Sequence, residues 1–200
     1  GTYGSIGDTL WLDTDRDNTV DAGEPRLADV TVALIRDLDG DGTWDAGEPI
    51  LATDVTDVAG YYLFGGLPVT DGAGTDDYLV WVNDTGSVLG DLVATYDVYD
   101  GASQGNPTSG LVTGYRISAV GDLTTTPVTT ADFAFAPSGH DNNEGLIGDT
   151  IFLDRDADNT PDEGEGIEGV TVRLYASDGT TLIATTHTDE NGLYFFGGLN

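Results

Sequence analysis

Carboxylates recur at three places in this 200-residue chain with one and the same spacing. The pattern Asp-x-Asp-x-Asp-[Gly or Asn]-x-x-Asp-x-Gly-Glu begins at Asp13, Asp37 and Asp154. A hard cation such as Ca2+ takes about six to eight oxygens, and a tight loop can supply them from every second residue. In a twelve-residue calcium loop, positions 1, 3, 5, 9 and 12 offer side chains and position 7 a backbone carbonyl. The predicted ligands of the first loop are Asp13, Asp15, Asp17, the Thr19 carbonyl, Asp21 and Glu24. Those of the second are Asp37, Asp39, Asp41, the Thr43 carbonyl, Asp45 and Glu48. Those of the third are Asp154, Asp156, Asp158, the Thr160 carbonyl, Asp162 and Glu165. Position 6 must turn sharply, which Gly42 does freely and Asn18 and Asn159 tolerate. Position 12 holds three of the glutamates of a chain that otherwise prefers aspartate, and the longer side chain lets both oxygens reach an ion. The pattern therefore predicts three Ca2+ sites. Pro161, at position 8 of the third loop, lacks the N–H that would pair with a neighbouring loop, so that site is expected to stand alone.

The formal net charge is −30. Nucleic acid and anionic membrane, which require Lys/Arg patches, are excluded as partners, and no segment of the sequence reads as a membrane span. A hydrophobic content of 38% and regular strand patterns argue for a packed core and against a solvated acidic coil. The chain has no Cys and no Lys. Disulfides and lysine–asparagine cross-links are thus unavailable, which leaves ion binding as the means of stapling long loops.

The elements that must carry these loops read as strands. Period-two alternation appears in Ile6–Leu12, at Val30, Val32 and Leu34, and in Tyr78–Val82, with weaker segments at Leu111–Ile117 and Val128–Phe135. No helical stripe of useful length exists, and Pro25, Pro49 and Gly166 follow position 12 directly, which disfavours a helix there. The loops are therefore strand–loop–strand sites without the flanking helices of an EF-hand. About seven short strands per unit indicate an all-β sandwich. The opening segment also returns later. Ile6-Gly7-Asp8-Thr9 answers Ile147-Gly148-Asp149-Thr150, and Gly60-Tyr61-Tyr62-Leu63-Phe64 answers Gly192-Leu193-Tyr194-Phe195-Phe196. The predicted organisation is a complete repeat over residues 1–136, a linker over 137–144, and a partial second repeat over 145–200.

The run Gly4-Ser5-Ile6-Gly7-Asp8-x-x-Trp11-Leu12-Asp13, with Asp21-Ala22-Gly23-Glu24-Pro25, Val30-Thr31-Val32-x-Leu34 and Gly60-Tyr61-Tyr62-x-Phe64, resembles the B-like domain of serine-aspartate repeat (SdrD-type) surface proteins. The segments Thr95-Tyr96-Asp97 and Asp132-Phe133-Ala134-Phe135 are similar to that domain's closing strands. The resemblance implies tandem, immunoglobulin-like (Greek-key) sandwiches, rigidified by calcium, on the stalks of secreted or surface-anchored adhesins and fibres. The second acidic loop departs from the internal repeat. The later unit replaces it with the turn Ala176–Thr181.

Other residues are weighed against simpler roles. Asp57 and Asp189 fit turn formation better than ligation, and Asp97, Asp100, Asp132 and Asp141 are secondary ligand candidates. Asp76 and Asp77 read as a solvated bend before a strand, and Trp11 and Trp81 as core. Trp44, at position 8 of the second loop, can cover the ion site, pack on a neighbouring domain or stack on a sugar. His140 and His187 occupy positions the repeat does not need as histidine, and no Gly-x-Ser-x-Gly, His-Glu-x-x-His or cysteine nucleophile is present. No enzymatic activity is expected. Loops 1 and 2 flank one strand, which at ~3.3 Å per residue separates them by ~26 Å, one at each pole. The function expected is that of an extracellular, calcium-rigidified structural repeat whose partners are neighbouring copies of itself. A ligand-binding adhesin module and an accessory domain of a secreted hydrolase are the alternatives. By comparison with the first, the second repeat lacks the later strands, so the chain is expected to be a window on a longer array or a subunit completed by strand addition.

Overall fold

The computed structural model describes residues 1–17, 19–40, 44–70, 77–90, 92–97, 117–121, 123–137, 139–141, 144–162 and 164–200. The predicted ligands Asp41 and Thr43, the turn residues Asn18 and Gly42, and Asp76, Asp100 and the segment 111–116 lie outside them. Among the described residues the chain is all-β, with strands β1 (Tyr3–Leu12), β2 (Thr31–Asp37), β3 (Ile50–Val55), β4 (Tyr61–Pro68), β5 (Asp77–Val82), β6 (Leu92–Asp97), β7 (Ile117–Gly121), β8 (Phe133–Pro137), β9 (Gly145–Thr150), β10 (Thr171–Tyr175), β11 (Leu182–His187) and β12 (Leu193–Leu199). No helix among them is long and apolar enough to cross a membrane. The chain divides into two compact units, Gly1–Leu89 with Val93–Ala136, and Gly90–Leu92 with Pro137–Asn200.

The first unit contains two four-stranded sheets, ordered β4-β1-β8-β6 and β3-β2-β5-β7. The chain crosses between them after β1, β3, β4, β5, β6 and β7, as in immunoglobulin-like sandwiches. In the first sheet β1 pairs antiparallel with β4 and parallel with β8, aligning Leu10 with Phe133 and Leu12 with Phe135. Ile6, Leu10, Leu12, Phe133 and Phe135 are at most 1% exposed, and Tyr62 and Phe64 of β4 join them while the alternating Tyr61 and Leu63 face outward. In the second sheet β2 lies between β3 and β5. Here the expected period-two alternation gives way. Val32, Leu34, Val80 and Val82 bury one face, while Ala33, Ile35, Leu79 and Trp81 form a second buried cluster on the other. Burial on both faces explains the near-continuous apolar runs in these two strands. The predicted segment Val128–Phe135 is shorter than expected as a strand. β8 starts at Phe133, and Val128 forms only an isolated parallel bridge to Ile6.

The second unit repeats the opening half of the first. Its ribbons β9–β12 and β10–β11 carry the pairings of β1–β4 and β2–β3, and the irregularity at Leu34/Ile35 recurs at Leu174/Tyr175. Among the described residues β9 and β10 each have one strand partner where β1 and β2 have two. Ile147 is 47% exposed where its counterpart Ile6 is buried.

Side-chain staples tie the turns in both units. The Thr56 hydroxyl donates to the Leu27 carbonyl at 2.7 Å and accepts from the Val30 N–H at 2.9 Å. Thr188 repeats both bonds with Ile167 and Val170 at 2.6 and 2.9 Å. Asp57 and Asp189 each accept two backbone N–H groups of their own turn, which assigns them turn formation. Asp84, buried and at φ +33°, accepts from the N–H groups of Val88 and Leu89.

Two predictions follow from this packing. Thr56→Val keeps the shape but leaves a buried carbonyl and N–H without their partner, so it should lower stability by about 1–3 kcal/mol in chemical denaturation. An unchanged denaturation midpoint would refute the staple. Burial raises the Asp132 carboxyl to about 6, with the Asp8 charge adding to the effect and the Thr9 N–H bond opposing it. The folded state holds this proton more tightly than the unfolded chain, so stability falls as pH rises from about 4 to about 6 and the full cost persists above. Asp132→Asn retains an oxygen for the Thr9 N–H and removes the charge. It should raise stability at pH 7 by about 1–2 kcal/mol, allowing for solvent screening, and change little at pH 4. Melting curves of the pair across that range check the sign.

Candidate metal centres

In the first unit each acidic loop begins where a strand ends, so its first carboxylate is held by the sheet. Asp13 follows β1, is fully buried, and donates its N–H to the Phe135 carbonyl of β8 at 2.8 Å. Asp37 is the last residue of β2 and is 1% exposed. The loop bases close by backbone bonds from Leu12 to the Pro25 carbonyl at 2.9 Å and from Arg36 to the Pro49 carbonyl at 3.0 Å. In the third loop Leu153 bonds the Glu165 carbonyl at 2.8 Å.

One bracket recurs in all three loops. One oxygen of the position-12 glutamate accepts the N–H of position 2, and the other accepts the N–H of position 9. Glu24 receives Thr14 at 2.7 Å and Asp21 at 3.0 Å. Glu48 receives Leu38 at 2.7 Å and Asp45 at 2.9 Å. Glu165 receives Arg155 at 2.8 Å and Asp162 at 3.3 Å. These glutamates are 8%, 9% and 5% exposed, an unusual depth for the longer acid. Each carboxylate oxygen has more than one lone pair, so the bracket leaves acceptor capacity for a cation.

Within the loops, aspartates accept from the backbone two to five residues on. Asp15 accepts from the Asp17 N–H, and Asp17 from the Thr19 N–H at 2.7 Å. Asp37 accepts from the Gly40 N–H. Asp154 accepts from the N–H groups of Ala157 and Asn159, and Asp156 from that of Asp158. These turns drive position 4 into the left-handed region, with Arg16 at φ +56°, Gly40 at +70° and Ala157 at +66°. Position 6 is left-handed where described, Asn159 at +66°, as its residue type predicts. Position 11 is more extreme in loops 1 and 2, with Gly23 at +105° and Gly47 at +120°. Such values exclude a side chain although space is open around both. The glycine at position 11 was visible in all three copies, but its conformational reason was not.

The carboxylates converge. Oxygens of Asp13, Asp15 and Asp17 lie within 4.8 Å of one another, as do those of Asp37, Asp39 and Glu48. Two overlapping groups gather Asp154, Asp156 and Asp158, and Asp156, Asp162 and Glu165. Asp21 and Asp45 are tied to the bracketing glutamate by their backbone N–H groups. The structure thus brings together the carboxylates of Asp13, Asp15 and Asp17, of Asp37, Asp39 and Glu48, and of Asp154, Asp156, Asp158, Asp162 and Glu165. The electrostatics agree with such crowding. Burial, with the charges of Asp37 and Asp39, raises the Glu48 carboxyl. Loss of hydration and the charges of Asp158, Asp156, Glu165 and Asp154 raise Asp162. The Thr160 hydroxyl and N–H hold Asp158 low. The donor set is all oxygen and of high charge, which fits a hard divalent ion and not zinc or copper.

Trp44 rests on Ala33, Ile35, Leu79 and Trp81 of its own sheet. Asp77 is not a solvated bend. It belongs to β5, in register with Asp37. His140 is buried within the second unit, its Nδ1 accepting the Gly198 N–H at 3.4 Å, whereas His187 lies exposed on β11. Asp141 donates its own N–H to Glu144, and Asp97 ends β6.

The family model of the SdrD B-like domain matches residues 4–119 and 145–200. "Serine-aspartate repeat-containing protein F" of Staphylococcus epidermidis is 32% identical over 199 residues, 99% of this chain and 10% of that protein. "Bone sialoprotein-binding protein" of Staphylococcus aureus (strain MRSA252) is 31% identical over 198 residues, 98% of this chain and 14% of that protein. The chain therefore spans only a small fraction of the length of these relatives. Among solved structures, the shaft pilin SpaA of Lactobacillus rhamnosus GG aligns with 98% of this chain and 80% of its own at a TM-score of 0.39 and 12% identity. A streptococcal ancillary pilin aligns with 99% and 50% at 0.38 and 12%. With the family model covering both units and the strands carrying its motifs, this chain belongs to the SdrD B-like domain family.

Proposed function

We propose that the chain is a non-catalytic structural repeat of an extracellular surface stalk or fibre, made rigid by Ca2+ in its three acidic loops. The observation that carries this reading is the threefold glutamate bracket, which holds a buried carboxylate against the first and last turns of each loop. Asp13, Asp15, Asp17, the Thr19 carbonyl, Asp21 and Glu24 would hold one ion. Asp37, Asp39, Asp41, the Thr43 carbonyl, Asp45 and Glu48 would hold a second, and Asp154, Asp156, Asp158, the Thr160 carbonyl, Asp162 and Glu165 a third. Bound Ca2+ supplies positive charge that offsets the repulsion of these carboxylates. The chain's own groups fix the loop ends. The first loop precedes β2 and the second leaves its other end, and β2 itself is seven residues long, ~23 Å at ~3.3 Å each. Membership of the family and the internal repeat support tandem arrangement with neighbouring repeats as partners.

Calorimetry on the full chain should detect three sites at millimolar Ca2+. Glu24→Gln, Glu48→Gln and Glu165→Gln should each remove or weaken one of them. Ca2+ at one hundred times its dissociation constant stabilises by about 2.7 kcal/mol per site, so chelation should lower the melting temperature markedly. Each glutamine variant should lose part of that increment, beyond the smaller cost, also present in EDTA, of replacing one accepting oxygen of the bracket by an amide nitrogen. Identical melting with Ca2+ and with EDTA would overturn the proposal.

A further inference from the structure

We infer that Trp44 is the positioning residue of the second metal loop, coupling its cation affinity to the burial of one face of the β3-β2-β5-β7 sheet. The inference rests on the calcium reading and adds a claim of its own. Register places the participants on one face. β2 aligns Ala33 with Trp81, Ile35 with Leu79 and Asp37 with Asp77, so the apolar strip Ala33, Ile35, Leu79 and Trp81 ends in the acidic pair at the mouth of the loop. Asp37 begins the loop, and Trp44 at position 8 returns onto the strip and packs against it. The residue after Trp44 is Asp45, whose N–H is held by Glu48 at 2.9 Å. A side chain seated on the sheet thereby fixes the backbone that presents positions 9 to 12. The Trp44 Nε1 is buried and has no hydrogen-bond partner among the described residues, so the indole is held there by apolar contact and not by a polar one.

The second unit supplies an internal comparison. Its β10–β11 ribbon has the same register and the same irregularity as β2–β3, so Arg173 stands for Ala33 and Tyr175 for Ile35. No acidic loop joins these strands. The turn is instead closed by Asp178, which accepts from the Thr180 and Thr181 N–H groups and from the Thr181 hydroxyl. Where the loop and its tryptophan are missing, the two positions that β2 gives to the strip change in residue type. Arg173 is charged and exposed, and Tyr175 is 44% exposed. Position 8 of the other loops is Val20 or Pro161, and Pro161 is exposed. Loop and tryptophan thus occur where β2 presents Ala33 and Ile35 to the indole, and not between the strands that present Arg173 and Tyr175 instead.

The test uses the full chain carrying Glu24→Gln and Glu165→Gln, so that Ca2+ titration reports on the second loop. Trp44→Ser should weaken Ca2+ binding there by about tenfold or more, and Trp44→Phe should restore it to within about threefold, because a ring on the strip suffices. In the otherwise unaltered chain, Trp44→Ser should leave the affinities of the other two loops as they were. Chelation should shift the tryptophan emission of the parent protein to longer wavelength as Trp44 becomes wet, and Trp44→Phe should abolish that shift. If Trp44→Ser does not fold, the emission shift and its loss in Trp44→Phe decide the matter. A variant whose melting temperature falls equally in Ca2+ and EDTA, with second-loop affinity unchanged, would overturn the coupling while leaving the calcium reading intact. An emission spectrum insensitive to chelation in a protein that still binds Ca2+ would do the same. Absence of Ca2+ binding in the parent protein would overturn both.

Discussion

Like-charge crowding at the ends of strands is the constraint on which this structure turns. Five or six carboxylates share each twelve-residue loop, and in the first unit the leading one is buried at the end of a strand. Carboxylates so close raise one another's affinity for protons or attract a cation, and the backbone must resist their repulsion in the meantime. It does so by aiming N–H groups inward. The glutamate bracket, the aspartate turns and the left-handed residues at positions 4 and 11 are parts of one arrangement that collects donors around negative charge. The strands benefit in turn, because a loop closed at both ends holds the two sheets in fixed register where they would otherwise fray.

The two units show which parts of this arrangement depend on one another. The first acidic loop, the Thr56 staple and the Asp57 turn all recur, as the third loop, Thr188 and Asp189. The second loop does not recur. Its place is taken by a turn in which the Asp178 carboxyl is held down to about 2, chiefly by the Thr181 hydroxyl and N–H. That turn closes the same hairpin with one charge in place of five. The β2 residues under Trp44 change with it, Ala33 and Ile35 giving way to Arg173 and Tyr175.

Much of the carboxylate clustering was legible from residue types because it is local. The spacing of alternate residues is set by loop geometry within a dozen residues, so most of the described acids that the pattern selected converge in space. Strand positions were legible in both sheets, but the alternation that tells one face from the other was lost where both faces are buried. β2 and β5 are buried on both sides, so Leu79 and Trp81 carry no polar alternation to betray their face. Asp77 was misread for the same reason. Its acidity suggested a solvated bend, but strand register carries it to a place beside Asp37. Thr56 and Thr188 carry no signal in the sequence, since lone hydroxyls in turns are common and only their long-range partners reveal their role.

What the sequence by itself determined is the chemistry and the repetition. Three identical acidic patterns, a returning Gly-x-Tyr-x-Phe segment and strand-like alternation specify oxygen-rich loops on an all-β frame, because all three signals act over short stretches of chain. What only the tertiary structure decided is where the loops are anchored. The parallel pairing of β8 with β1, the burial of Asp13 against Phe135 and the seat of Trp44 on β2 and β5 each join residues distant in the chain. Such contacts leave no periodic trace in sequence, because they depend on how the sheets stack and which face each strand presents, not on the order of neighbouring residues.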